Sequence, residues 1–199
     1  MSYRNKRKNY IVLGCILTGL LSQACGSAVE NELGRLRVQG QEIVNDQGPF
    51  LIKSIGTGNW MIQEGYMMQS TDAGIGTHTQ FRTKLEQEIG EERTADFYQD
   101  WLDNHMTKAD LDSMKAWGFN AIRPALHYKW FTLPIQDEPV SGQHTWVDAG
   151  FEKLDELMGW AAANQMYVMF DMHGAPGGQG KNSNINDYDE TLPSLFEDE

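Results

Sequence analysis

The chain has 199 residues, with 16 Lys and Arg against 28 Asp and Glu, a formal net charge of −12, and 40% hydrophobic residues. That composition fits a soluble globular protein and argues against a nucleic-acid partner, because a phosphate-binding surface needs a basic excess. Two cysteines are too few for a disulfide scaffold or a four-thiolate zinc site.

Residues 1–24 read as a signal peptide. A basic stretch from Arg4 to Lys8 precedes the apolar run Ile11–Leu21, which as a helix rises only about 16 Å and is too short for a hydrocarbon core of roughly 30 Å. Without this leader the chain keeps 12 basic and 28 acidic side chains. Ser22-Gln23-Ala24 suits ordinary signal peptidase, while Leu21-Ser22-Gln23-Ala24-Cys25 resembles a bacterial lipobox with its leucine one place early. Cys15 leaves with the leader, so Cys25 would otherwise be an unpaired thiol in an oxidising compartment. Cys25 is therefore expected to be lipidated, with residues 25–34 as a tether, and the protein to be exported as a cell-envelope lipoprotein rather than freely secreted. Membrane association is expected only through that anchor.

Residues 35–199 are expected to form the folded part. Leu36–Gln39 and Glu42–Val44 alternate apolar and polar residues across Gly40-Gln41, which predicts a small hairpin. A strand is predicted over Phe50–Ile55, ended by Gly56-Thr57-Gly58, and an irregular stretch follows to about His78. Helices are predicted over Gln80–Ile89 and Glu92–Asn104. A third is capped by Thr107 with Asp110, lined by Leu111 and Met114, and stopped by Gly118. Phe119–Arg123 reads as a strand broken by Pro124. Asp148–Ala163 reads as a helix with Phe151, Leu154, Met158 and Ala161 at core spacing. Met166–Asp171 is a continuous apolar run, as expected of a strand buried on both faces. The tryptophans at 101, 117 and 160 fall in helical patterns and are expected in the core.

Strands alternating with helices predict βαβ units and a parallel sheet. The loops leaving the strands are long and chemically rich, while the helix-to-strand joints are short, which is the asymmetry of a (β/α)8 TIM barrel with its site built from βα loops. Such a barrel takes about 250 residues. The expectation is therefore an α/β barrel truncated to about its first three βα units, preceded by a β-hairpin.

Each predicted strand ends in residues that a core would not select: Asn59-Trp60 through Glu64, Arg123 through Trp130, and Asp171-Met172-His173 before a glycine-rich loop. In a parallel barrel these ends converge, bringing Asn59, Glu64, Arg123, His127 and His173 to one mouth. The segments GNWMIQEGYM, GFNAIRPALHYKWF and YVMFDMHGAPGGQG resemble the first three strand ends of glycoside hydrolase family 5, which holds cellulase-type and exo-β-1,3-glucanase-type barrels. The resemblance covers about residues 35–196. It implies that Arg123 hydrogen-bonds the nucleophilic carboxylate and that His173 lies beside the sugar at the cleavage site, both as active-site support. It also implies that Asn59, Trp60 and Glu64 bind sugar hydroxyls and that His127 and Tyr128 contact substrate. Trp130, with Trp60, Tyr66, Tyr128 and Trp146, lies in a loop where a ring can stack on a sugar face.

Pro124 follows Arg123 directly, where many family members have Arg-x-Pro. The family's acid/base glutamate follows strand four and its nucleophile strand seven, and neither position falls within these residues. Retaining hydrolysis needs two carboxyl groups about 5–5.5 Å apart, so the 199 residues alone are expected to be inactive. The reading is a fragment of a retaining hydrolase of β-glucosidic bonds in a polysaccharide such as cellulose or β-glucan, working without cofactor or metal. The alternative is a carbohydrate-binding lipoprotein without catalysis. Gly56-Thr57-Gly58-Asn59-Trp60-Met61 ends in methionine where a dinucleotide fingerprint needs a third small residue. Asp171-x-His173 lacks a third metal ligand nearby, and Gly177-Gly178-Gln179-Gly180 lacks the Lys-Ser/Thr of a phosphate loop.

Overall fold

The computed structural model describes residues 33–192 apart from 141 and 144. The expected signal peptide, Cys25 and the acidic last residues lie outside them. An antiparallel unit comes first, β1 (Arg37–Gln39), β2 (Glu42–Asn45) and β3 (Gly48–Pro49). The parallel sheet follows, β4 (Ser54–Thr57), β5 (Ala121–His127), and a third strand in two pieces, β6 (Tyr167–Val168) and β7 (Asp171–Gly174). β5 is central, pairing with β4 on one edge and with β6 and β7 on the other. Helices α1 (His78–Ile89), α2 (Glu91–His105) and α3 (Lys108–Ala116) lie between β4 and β5 in sequence, and α4 (Asp148–Ala163) lies between β5 and β6. A single turn, α5 (Ser183–Asn186), follows β7.

The first parallel strand lies further along the chain than its composition predicts. Asn120 accepts from the Lys53 amide at 2.7 Å and donates to the Leu51 carbonyl at 2.9 Å. One side chain thus satisfies backbone groups that a ladder would otherwise take, and pairing begins at Ser54. It runs on through Gly56 and Thr57, opposite Arg123 and Pro124.

Pro124 does not break the second strand, which is a correction to the sequence expectation. β5 continues to His127. A proline lacks the N–H that a ladder uses, and here the neighbouring strand is interrupted where that donor is missing. The registers Ile122 with Val168 and Ala125 with Asp171 put the break at Met169-Phe170 beside Arg123-Pro124.

The core is formed where β5 meets the helices: Ile122, Leu126, Leu102, Leu111, Leu157, Ala161 and Met166 are all buried. On α4 the buried stripe is Gly150, Leu157 and Ala161, with Leu154 packed against the core. Leu154 and Ala161 thus take their predicted places, while Gly150 and Leu157 replace Phe151 and Met158, which are left exposed. Trp117 is also a correction. It is 71% exposed, because α3 ends at Ala116 and takes it out of the helical spacing. At the other end of α3, the Asp110 carboxylate accepts from the Thr107 amide at 2.8 Å and hydroxyl at 2.6 Å, as the Thr-Asp spacing predicts, and Gly118 takes the left-handed conformation at φ 92°.

Leu111 is fully buried between α3 and the sheet. Leu111→Ala should cost about 2–5 kcal/mol, the range for a buried leucine truncated without collapse of the cavity. The check is chemical denaturation, with a lower midpoint at an unchanged m-value.

Candidate active site

The carboxyl ends of β4, β5 and β7 lie side by side, as parallel pairing requires. The charged groups meet at β5 and β7. Asp171 Oδ2 lies 2.9 Å from His173 Nδ1 and 3.5 Å from Arg123 Nη1. When the ring is neutral, a carboxylate on Nδ1 holds that nitrogen as the donor and leaves Nε2 as the acceptor. Arg123 stays half exposed and His173 a quarter exposed, so both remain open to a ligand.

Glu64 reaches the same place from the loop after β4. Burial raises its pKa. The charges of His173 and Arg123 and a hydrogen bond from the Tyr66 hydroxyl oppose that rise, while Asp171 adds to it. These influences put Glu64, Arg123, Asp171 and His173 in one electrostatic neighbourhood. The loop is folded by Asn59, which adopts φ 61°, a left-handed conformation that asparagine tolerates. Its side-chain oxygen accepts the Glu64 amide at 3.0 Å.

Several residues expected to touch substrate turn inward instead. Asn59 is buried and spends its amide on the Glu64 backbone. Trp60 is 1% exposed, with its indole donating to the Leu102 carbonyl, and belongs to the core. Trp130 is half-buried and donates to the Met61 carbonyl at 2.7 Å. Tyr128 is buried and stacks on His127. His127 is fully buried, and its Nε2 meets Asp187 Oδ2 at 3.0 Å. A loop aromatic and a strand-end histidine look alike in sequence whether they face a ligand or close the loop beneath it. Of the residues selected from sequence, Arg123 and His173 meet at the open mouth, while Glu64 is itself buried but close enough to feel their charges.

Behind that mouth lies a polar cluster that the sequence did not reveal. Asp187 accepts from the Thr79 amide at 2.8 Å, from the Thr79 hydroxyl at 2.6 Å and from His127. His78 stacks on His127 with ring centres 4.7 Å apart, and its Nδ1 accepts the Gln63 amide at 3.2 Å. Nδ1 of His127 accepts the Lys129 amide at 3.3 Å. Each ring therefore uses Nδ1 as an acceptor and is held neutral with its proton on Nε2. The only sequence cue was an aspartate at the end of a glycine-rich loop, with nothing to say where that loop returns. Among the described residues no group of His, Cys, Asp and Glu is placed to hold a metal, and Asp171 is already engaged by His173 and Arg123.

A family described as Cellulase (glycosyl hydrolase family 5) matches residues 76–198. The chain belongs to this family. A beta-xylosidase of Phanerodontia chrysosporium is 29% identical over 145 residues, covering 72% of this chain and 28% of that protein. A probable glucan 1,3-beta-glucosidase A of Aspergillus niger is 30% identical over 161 residues, covering 80% of this chain and 37% of that protein. The rutinosidase crystal structure from Aspergillus niger shares the fold, with a TM-score of 0.52 at 19% identity over 69% of this chain and 37% of that one. The chain thus spans about a third of the length of the curated relatives it matches. Family membership makes the three parallel strands part of a (β/α)8 barrel, and Arg123, Asp171 and His173 stand at the strand ends where such barrels bind ligands.

The buried histidines have a measurable consequence. Burial lowers the pKa of His78 and of His127 below the ordinary 6.5. The cations Lys129 and Arg82 push His78 the same way, while Asp187 opposes both shifts. Asp187 is itself held below the usual carboxylate range, its burial outweighed by the bonds from His127 and Thr79. As pH falls through 6.5, the unfolded chain protonates these histidines before the folded chain does. Stability is therefore full above that pH and declines below it, by up to about 1.4 kcal/mol per pH unit for each histidine. His78→Gln should flatten this decline by one proton's worth, read as urea midpoints between about pH 7 and pH 5.

Proposed function

We propose that the full polypeptide is a retaining glycoside hydrolase acting on β-glucosidic bonds of a polysaccharide such as β-glucan or cellulose. These residues would supply the first three strands of its barrel. The observation that carries the reading is the meeting of Arg123, Asp171 and His173 at the strand ends of a family 5 chain, with Glu64 close enough to feel their charges. Arg123 would hold the nucleophilic carboxylate through charge-assisted hydrogen bonds. His173, with Nε2 free, would accept from a sugar hydroxyl beside the scissile bond, and Glu64 would accept from another. The acid/base and nucleophilic glutamates would come from strands beyond the third, so residues 1–199 alone would not hydrolyse substrate. Double displacement then needs those two carboxyl groups about 5–5.5 Å apart. The names of the relatives, glucan 1,3-beta-glucosidase among them, support laminarin and laminari-oligosaccharides as the first substrates to try.

In the full polypeptide, Arg123→Ala should lose most of kcat, about 10²-fold or more, the scale on which removal of a preorganised donor acts. The measurement is hydrolysis of laminarin and cello-oligosaccharides, with the anomer of the first-formed product followed by NMR. A first product of inverted configuration would exclude the double-displacement route. Sugar binding with no hydrolysis by the full polypeptide would leave a carbohydrate-binding protein.

Export and anchoring belong to the same proposal. Cleavage before Cys25 and lipidation of its thiol would hold the enzyme at the cell envelope, with the residues up to 34 as a tether. Cys25→Ala should move the protein from the membrane fraction to the soluble fraction, checked by immunoblot of fractionated cells. No change in fractionation would rule out the anchor.

A further inference from the structure

Three observations concern Asp187, which neither its sequence context nor the proposed chemistry singles out. Its side chain is 5% exposed, at the end of a loop running on from β7. It adopts φ 55°, the left-handed region, which aspartate enters more readily than most side chains. Its two oxygens are taken by Thr79 at the start of α1 and by His127 at the end of β5. One carboxylate therefore fastens the returning loop to both a helix start and a strand end.

The contact continues toward the mouth. The His127 ring lies against Gly174, so closely that a Cβ there would overlap its Cδ2. Gly174 is the residue after His173, and His127 is its partner across the sheet. The loop between is braced within itself. The Gln179 amide donates to the carbonyls of Met172 and His173, Asn186 donates to the Gly180 carbonyl at 3.1 Å, and the Asp189 amide donates to the Gly177 carbonyl at 3.3 Å. The loop is thus a braced strap with one buried carboxylate fastening, and the ring receiving that fastening packs against the backbone next to His173.

We infer that Asp187 is a positioning residue for the sugar site: through His127 it fixes the strap and the strand end that present His173. The inference rests on the functional reading above only in calling the mouth a sugar site. The mechanical part, Asp187 to His127 to Gly174, stands on the contacts alone. An aspartate fits where asparagine would not, because the site offers three donors to two oxygens and an amide nitrogen would face a donor.

The test uses the full natural polypeptide with Asp187→Ala and the milder Asp187→Asn, which keeps one acceptor oxygen. Three readouts are taken: amide hydrogen exchange of residues 175–189 against that of α2 and α4, the NMR signals of the His173 ring, and kcat and KM on laminarin. Asp187→Ala should speed strap exchange at least about tenfold with α2 and α4 unchanged, and shift the His173 ring signals. It should lower kcat about 10²-fold, as a misplacement near 1 Å does, with a smaller change in KM. Asp187→Asn should recover part of each effect. A variant with a lower Tm but with strap exchange and His173 signals at wild-type values would overturn the inference, since Asp187 would then only stabilise the fold. Faster strap exchange with unmoved His173 signals would overturn it as well. If the unmutated polypeptide hydrolyses no β-glucan, the functional reading fails, and exchange with the His173 signals alone decides the positioning role.

Discussion

The strand β5 is hydrogen-bonded along both edges, and the rest of the molecule is arranged around that constraint. A strand paired on both sides can offer only its two faces. One face, with Ile122 and Leu126, is committed to the helices. The other carries Arg123 and His127, one open to solvent and one sealed. The same backbone thus contributes to the core and supplies the centre of the site. The helices dock on one face, the loops close over the end of the other, and the charged groups of β7 are brought to Arg123 by register alone.

Two electrostatic layers result. In the outer layer, Arg123, Asp171 and His173 are partly solvated, and water screens their mutual attraction. In the inner layer, Asp187 is placed among donors and two neutral rings away from water, where an unmet bond costs far more. The inner layer therefore holds geometry, while the outer layer is left adaptable. A ligand can exchange partners with Arg123 and His173 without disturbing the arrangement beneath them.

Much of this was legible from residue order. The alternation of strands and helices, the limits of α4, the Thr107–Asp110 cap and the stop at Gly118 follow from local preferences that packing did not oppose. The strand-end positions of Arg123 and His173 were legible because polar residues stand out at the carboxyl end of an otherwise apolar strand. What was not legible depends on contacts distant in the chain. Asn120 delays the first strand by capping Leu51 and Lys53 from 69 and 67 residues away. The fates of Trp60, Tyr128 and His127 were set by loops that fold over them. Asp187 binds Thr79 across 108 positions, and no local pattern announces such a pair. Pro124 was misjudged for a related reason: whether a missing N–H matters depends on what lies beside it, and here the adjacent strand is already broken.

Gly174 has a consequence for how this protein can be damaged. No side chain fits between its backbone and the ring of His127, so even alanine must push apart the strand end and the ring. Such a lesion would touch no atom exposed at the mouth and remove no charge. A survey of variants sorted by distance to bound ligand would file it as remote and harmless, although it sits one peptide from the histidine that faces the mouth. The value of this residue lies in the volume it leaves empty.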